Sequence, residues 1–216
     1  MSVLEVKHVG EKASIVTPLG IAVLALLFER PMHPYEMYQL LVQRREDRNV
    51  KVRPGSLYHT VDRLQEQKLV RSTGTNREGN RPERTTYEVT DSGRAALTAR
   101  ISEILATPIR EYPLFPVALA EAHNIGAEVV AVLLRERIDR LAKELDESAV
   151  LGERAAELAV PRVYWLDVGY SRAVLNAEIE WLRGLVDEIE NGALPWLQTS
   201  PKTYLPEPDQ QNGQLQ

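Results

Sequence analysis

The sequence predicts a mainly α-helical chain: three helices, a two-stranded β-hairpin and a fourth helix, then a separate set of long helices. Three observations predict it. Proline and capping residues mark off apolar segments of helical length in the first half. One short stretch there, Thr85–Thr90, alternates apolar and polar residues at strand period. Beyond residue 127 apolar residues recur at steps of three, four and seven over long distances.

Each element has its own start and stop. Thr17-Pro18 supplies an N-cap and a first-position proline. The helix that follows, Pro18–Glu29, is apolar almost all round (Leu19, Ile21, Val23, Leu24, Leu26, Leu27), so it is expected to be buried. Arg30-Pro31 ends it, because a residue preceding proline leaves the helical region. Pro34 opens a second helix, with Tyr35, Tyr38, Leu41 and Val42 at helical spacing. The polar stretch Arg44–Lys51 reads as its frayed end and a loop. Pro54 opens a third helix, which Lys68-Leu69 closes. Leu57, Val61 and Leu64 share one of its faces, while Ser56, His59, Thr60, Arg63 and Glu66 are expected to point largely away. Two strand-like runs, Leu69–Thr75 and Thr85–Thr90, flank a turn in which Asn76, Gly79, Asn80 and Pro82 supply the turn chemistry. Thr90-Asp91 starts the fourth helix with a cap and an acidic first turn.

Helix, helix, helix, hairpin, helix in this order is a winged helix-turn-helix. Its third helix is the element that enters a DNA major groove. Ser56, Tyr58, His59, Thr60 and Arg63 on that helix, with Tyr38 on the second, are the candidate DNA contacts. Such side chains read base edges or bind phosphate. Lys51 and Arg53 precede the helix, where its positive dipole end already favours an anion. Arg77, Arg81 and Arg84 on the hairpin suit flanking phosphates or the minor groove.

Whole-chain composition argues the other way. The chain has 216 residues, with 26 Lys+Arg against 31 Asp+Glu, a formal net charge of −5. An acidic total argues mildly against nucleic acid as a partner. The charge is uneven, however. Residues 1–97 hold 15 basic and 12 acidic side chains, or +3; residues 98–216 hold the remaining 11 and 19, or −8. Arg44–Arg94 alone carries 12 basic and 8 acidic residues. Asp62 and Glu66 on the third helix favour the alternative of a winged-helix protein-interaction module that does not bind DNA.

The run Arg53–Val70 followed by Thr85–Leu97 resembles the PadR family of bacterial transcriptional regulators. The specific parts are Pro-Gly-Ser-Leu-Tyr (Pro54–Tyr58) and the Tyr-x-x-Thr-x-x-Gly run at Tyr87, Thr90 and Gly93. Glu111–Leu119, Leu133–Leu145 and Ala177–Trp196 resemble the helical C-terminal segment of the longer branch of that family. The resemblance implies a homodimeric repressor of operator DNA, released by a small-molecule effector or other cue. Two positions depart from the family's habit. Pro34-Tyr35 stands where Gly-Tyr is usual. Arg53 stands where Ser or Thr commonly precedes Pro-Gly, which removes a side-chain cap worth about 1 kcal/mol and adds a positive charge.

In the second half, Val130, Leu134, Ile138, Leu141 and Leu145 form one stripe of a helix over Ala127–Leu145. Pro161 is expected to open a longer helix, ending at Asn191-Gly192, with Trp165, Val168, Leu175, Ile179, Leu182, Val186 and Ile189 as its stripe. Pairing with the other helix and with a second subunit would bury that stripe. Pro113 and Pro116 make Tyr112–Pro116 a rigid apolar elbow that breaks any continuous helix. Tyr112, Phe115, Tyr164 and Trp165 are the candidate lining of an effector pocket, set against the plainer reading as core and interface anchors.

The expected organisation is an arm at 1–16, the DNA-binding domain at 17–98, a dimerisation and effector domain at 99–194, and a disordered Pro- and Gln-rich tail at 195–216. Zero cysteines exclude disulfides, thiol catalysis and Cys-ligated zinc. The four histidines lack metal-ligand spacing, no phosphate-binding glycine loop occurs, and Ser56 lacks a nucleophile-elbow setting. No enzyme, cofactor or metal is therefore expected. With no export signal and no apolar run of membrane-spanning length, a cytoplasmic protein without membrane contact is expected.

Overall fold

The computed structural model describes residues 16–76 and 84–197. The chain divides into two compact units, one through Glu111 and one from Tyr112.

The N-terminal unit holds α1 (Pro18–Glu29), α2 (Pro34–Gln43), α3 (Pro54–Glu66), β1 (Val70–Asn76), β2 (Arg84–Val89) and α4 (Asp91–Ala106). The expected prolines occupy the first positions of α1, α2 and α3. Thr17 Oγ1 accepts from the Gly20 N–H and caps α1. α1 supplies the centre of the core, with Val23, Leu24, Leu26 and Leu27 packed against Met37 and Leu41 of α2 and Leu57, Val61 and Leu64 of α3. The buried face of α2 therefore runs through Met37 and Leu41. Tyr35 and Val42, which share its periodicity, are exposed. The polar loop after α2 contains one 3-10 turn at Glu46–Arg48, entered through Arg45 at φ 59°. Lys68, also at φ 59°, reverses the chain after α3.

β1 and β2 pair antiparallel, with Val70 opposite Val89 and Ser72 opposite Tyr87. A bulge between Ser72 and Gly74 shifts the register. Gly74 takes φ +148°, open to glycine because it lacks a Cβ. Met32, between α1 and α2, exchanges both backbone hydrogen bonds with Tyr87 at 3.0 Å and adds a third segment to the hairpin. Thr90 ties this sheet to both neighbouring helices. Its hydroxyl donates to the Lys68 and Leu69 carbonyls (2.8 and 3.0 Å) and accepts from the Gly93 N–H at 3.0 Å. Gly93 is required there: a Cβ at this position would lie 2.0 Å from the Leu69 carbonyl oxygen.

The C-terminal unit holds α5 (Leu114–Ala120), α6 (Ala127–Glu157) and α7 (Leu166–Glu190). Two expectations change. The elbow at Tyr112–Pro116 becomes the start of α5, since Pro113 caps it and Pro116 sits in its first turn, where no intrahelical N–H is needed. α6 continues twelve residues beyond Leu145, and a short 3-10 turn (Arg162–Trp165) precedes α7, so the second long helix starts at Leu166 rather than at Pro161.

α6 and α7 run antiparallel. Arg135 pairs with Glu190 near one end, Arg137 with Glu178 further along, and Gly152 lies beside Trp165 and Arg172. Val130, Leu134 and Ile138 pack against Ile179, Leu182 and Val186. The expected stripe of α7 is thus largely satisfied within one chain. Along α6 the buried face continues from Leu145 to the small residues Ser148 and Gly152, and Gly152 lies beside Trp165. Trp196 packs on the same cluster, and its indole N–H donates to the Ile125 carbonyl at 2.8 Å. Residues 195–197 therefore belong to the ordered unit, not to the tail expected from 195.

Candidate nucleic-acid interface

α3 is held from below by Leu57, Val61 and Leu64, which leaves its opposite side exposed. Ser56, Tyr58, His59, Asp62, Arg63 and Glu66 are all exposed. At 100° per residue, Gly55, His59, Asp62 and Glu66 lie nearest the outward pole, with Ser56 and Arg63 on one flank and Tyr58 on the other. Thr60 is the exception to the expectation. It is 7% exposed, and its hydroxyl donates to the Ser56 carbonyl at 2.8 Å. It lies about 40° beyond Leu64 on the wheel, at the edge of the buried face, and it is removed from the outward set.

Both flanks are fixed by neighbouring elements. On one, Arg63 Nη2 donates to Thr17 Oγ1 at 2.9 Å. On the other, the Tyr58 ring meets the His33 ring edge-on at 6.2 Å, and His33 itself caps α2 by accepting from the Tyr35 N–H at 3.1 Å. Asp62 lies toward the wing. Burial pushes the Tyr87 phenol up from its ordinary value, and the Asp62 charge adds to that shift. Tyr38 is half-buried against the core, so only part of its ring faces outward.

Arg30, Arg44 and Arg71 are bound to Glu36, Glu29 and Glu88. Among the described cations of this unit, Arg45 and Arg100 also face carboxylates, Asp47 and Glu103, while Arg94 stacks on the Phe28 ring and Lys68 has no carboxylate in range. Arg44 grips Glu29 with two nitrogens, and this hydrogen bonding holds the Glu29 carboxyl below the usual carboxylate range; Arg30 does the same to Glu36. Among the described residues, Lys51 and Arg53 are exposed with no carboxylate in salt-bridge range, and Arg63 bonds only a neutral hydroxyl. Arg53 is the N-cap of α3 and makes no side-chain cap bond, as its identity implied. Arg77 and Arg81 lie outside the described residues. Arg84 opens β2, and its side chain lies outside what is described.

The four aromatic candidates of the C-terminal unit occupy different settings within the chain. Phe115 packs on the α6–α7 core, and the Arg137 guanidinium stacks 3.6 Å from its ring centroid while bonding Glu178. Trp165 sits beside Gly152 and donates to the Val160 carbonyl at 3.1 Å. Arg137 and Gly152 are fifteen residues apart on one helix, so these two rings attach about 22 Å apart along its axis. Tyr112 and Tyr164 are exposed at 81% and 77%.

Sequence reading missed a second stripe on α7. Leu166, Tyr170, Val174 and Trp181 are all about half exposed or more, and they lie opposite the buried Val168, Leu175, Ile179, Leu182 and Val186. Their spacing of four, four and seven is a helical signal in its own right. It was hidden because the stronger stripe on the other face accounts for the helix. Among the described residues, no helix is long and apolar enough to cross a membrane, and no group of three or more His, Asp or Glu could hold a metal ion.

Comparison with known proteins agrees with this architecture. Residues 23–99 match the profile of the "Transcriptional regulator PadR-like family". No curated protein matches the chain in sequence. Among solved structures, PadR of Bacillus subtilis in complex with operator DNA superposes with a TM-score of 0.66 at 15% identity, covering 78% of this chain and 96% of that one. The virulence activator AphA of Vibrio cholerae gives 0.61 at 20% identity, covering 81% and 99%. The PadR-like transcriptional regulator BC1756 of Bacillus cereus gives 0.58 at 16% identity, covering 80% and 98%. The chain thus carries the PadR-like profile over residues 23–99, and it shares the fold of these solved structures across about four-fifths of its length.

Proposed function

We propose that the protein is a cytoplasmic, DNA-binding transcriptional regulator that acts as a homodimer on double-stranded operator DNA. One observation carries this reading: Lys51, Arg53 and Arg63 surround the N-terminal half and exposed flank of α3 without carboxylate partners, while Arg30, Arg44 and Arg71 of the same unit are ion-paired. These three cations, with no carboxylate in range among the described residues, present a phosphate-binding edge. His59 and Ser56 then lie where base edges would be met, and Arg77, Arg81 and Arg84 would extend the contact along the wing. The operator complex of the Bacillus subtilis relative supports the same assignment.

The apolar stripe Leu166–Tyr170–Val174–Trp181 supports self-association, since it is a face of α7 that the chain's own core leaves uncovered. A two-fold dimer would place two α3 helices on half-sites about one DNA turn apart. Repression relieved by a cue acting on the C-terminal unit, where Tyr112 and Tyr164 expose their rings, completes the proposal.

Fluorescence anisotropy with the protein's own promoter DNA at several salt concentrations tests it. The affinity is expected to fall steeply with salt, at about 0.9 in log–log slope per phosphate neutralised. A flat response, with a protein partner recovered on α3 instead, would establish the protein-interaction module favoured by Asp62 and Glu66.

A further inference from the structure

We infer that Thr17, at the start of α1, is a positioning residue for the DNA contact made by Arg63 on α3, forty-six positions later in the chain; this rests on the DNA-binding reading above. Arg63 Nη2 donates to Thr17 Oγ1 at 2.9 Å, and the same oxygen accepts from the Gly20 N–H at 3.3 Å. The hydroxyl oxygen thus serves two donors: it caps one helix and holds the guanidinium of another.

The geometry gives Arg63 a distinct task. It lies on the flank of α3 that faces α1, not at the outward pole that His59 occupies. Residues at the pole of a recognition helix meet base edges, and cations on its flank meet the backbone at the groove wall. A guanidinium has five N–H donors in a rigid plane. One is committed to Thr17, which sets the direction of that plane, and the others are available for a phosphate. Without the Thr17 bond, a long exposed side chain would have to give up rotamer freedom on binding. The N-terminus of α1 lies beside the same guanidinium, so its dipole adds to the positive field there. Arg63 is therefore a backbone clamp, oriented before DNA arrives.

The test is a double-mutant cycle on the full chain, with promoter DNA affinity, its salt dependence and thermal stability measured for each variant. Arg63→Ala is expected to weaken binding by about tenfold, to lower the salt slope by about 0.9, and to leave the preference among operator variants unchanged. Thr17→Val is expected to reproduce part of that loss, and to add nothing in the Arg63→Ala background. Its loss of the α1 cap lowers stability in both backgrounds alike. Thr17→Ser restores affinity and slope. Arg63→Lys, an exposed change that does not threaten folding, keeps the charge but loses the planar fork and is expected to bind more weakly than wild type. Additive effects of Thr17→Val and Arg63→Ala on affinity, or wild-type binding by Arg63→Lys, would overturn the positioning role and leave the DNA-binding reading intact. Wild-type protein that does not bind its promoter would overturn both.

Discussion

α3 and α7 are both amphipathic helices anchored by a row of buried leucine, isoleucine and valine, yet the sides they turn away from the core carry opposite chemistry. α3 presents Ser56, Tyr58, His59 and Arg63, with Lys51 and Arg53 at its start. α7 presents Leu166, Tyr170, Val174 and Trp181. The first face suits a partner rich in hydrogen-bond acceptors and negative charge; the second suits an apolar surface. The charge division follows the same line, +3 before residue 98 and −8 after it. An acidic chain can hold a basic edge because the two charges sit on different units.

The contrast can be broken at several points. Gly93→Ala should cause the largest loss, because a Cβ 2.0 Å from a backbone carbonyl cannot be relieved by a side-chain rotation. Destabilisation of about 3 kcal/mol or more is expected, seen as a lower melting temperature with loss of DNA binding. Leu182→Ala removes a fully buried side chain between α6 and α7 and should cost roughly 2–5 kcal/mol of helix stability, measured by circular dichroism. Trp181→Ala with Tyr170→Ala should leave folding nearly unchanged, since both rings are exposed, while raising the concentration at which light scattering detects dimers. An unchanged dimer would move the self-association surface off this face.

Smaller effects separate paired from unpaired cations. Lys51→Ala and Arg53→Ala should each lower the salt slope of DNA binding by about 0.9, whereas Arg71→Ala should leave it nearly unchanged. Glu29 and Glu36 titrate below the usual carboxylate range because Arg44 and Arg30 hydrogen-bond them. The stability they contribute is complete above the ordinary carboxylate value and is lost as pH falls through their lowered values. Replacing Glu29 with Gln should flatten that acid limb slightly, since both partners are largely exposed. An unchanged acid limb would show that the pair contributes nothing in solution.

Much of the N-terminal unit was legible from local chemistry. Thr17-Pro18, Pro34, Pro54 and Thr90-Asp91 mark helix starts through backbone constraints that act over three or four residues, and the helices begin at those residues. Thr60 was misplaced because a wheel drawn from apolar residues alone does not show how far around α3 the core reaches; a methyl-bearing hydroxyl can turn inward if its O–H finds a carbonyl one turn back. The Met32–Tyr87 bridge carried no period, since a single paired residue has none. In the second half, α6 outran its expected end because its buried face passes to Ser148 and Gly152, and such small polar or side-chain-free residues do not register as a hydrophobic stripe.

The order of elements, the winged-helix class and the list of basic and hydrogen-bonding residues on α3 follow from the chain alone, because capping, proline geometry and helical period are short-range properties. Which arginines are neutralised, which face of α7 is left bare, and that Thr17 holds Arg63 were decided only by tertiary structure. Each depends on contacts between residues fifteen, forty or more positions apart. Those separations are set by how helices pack, and no local pattern records them.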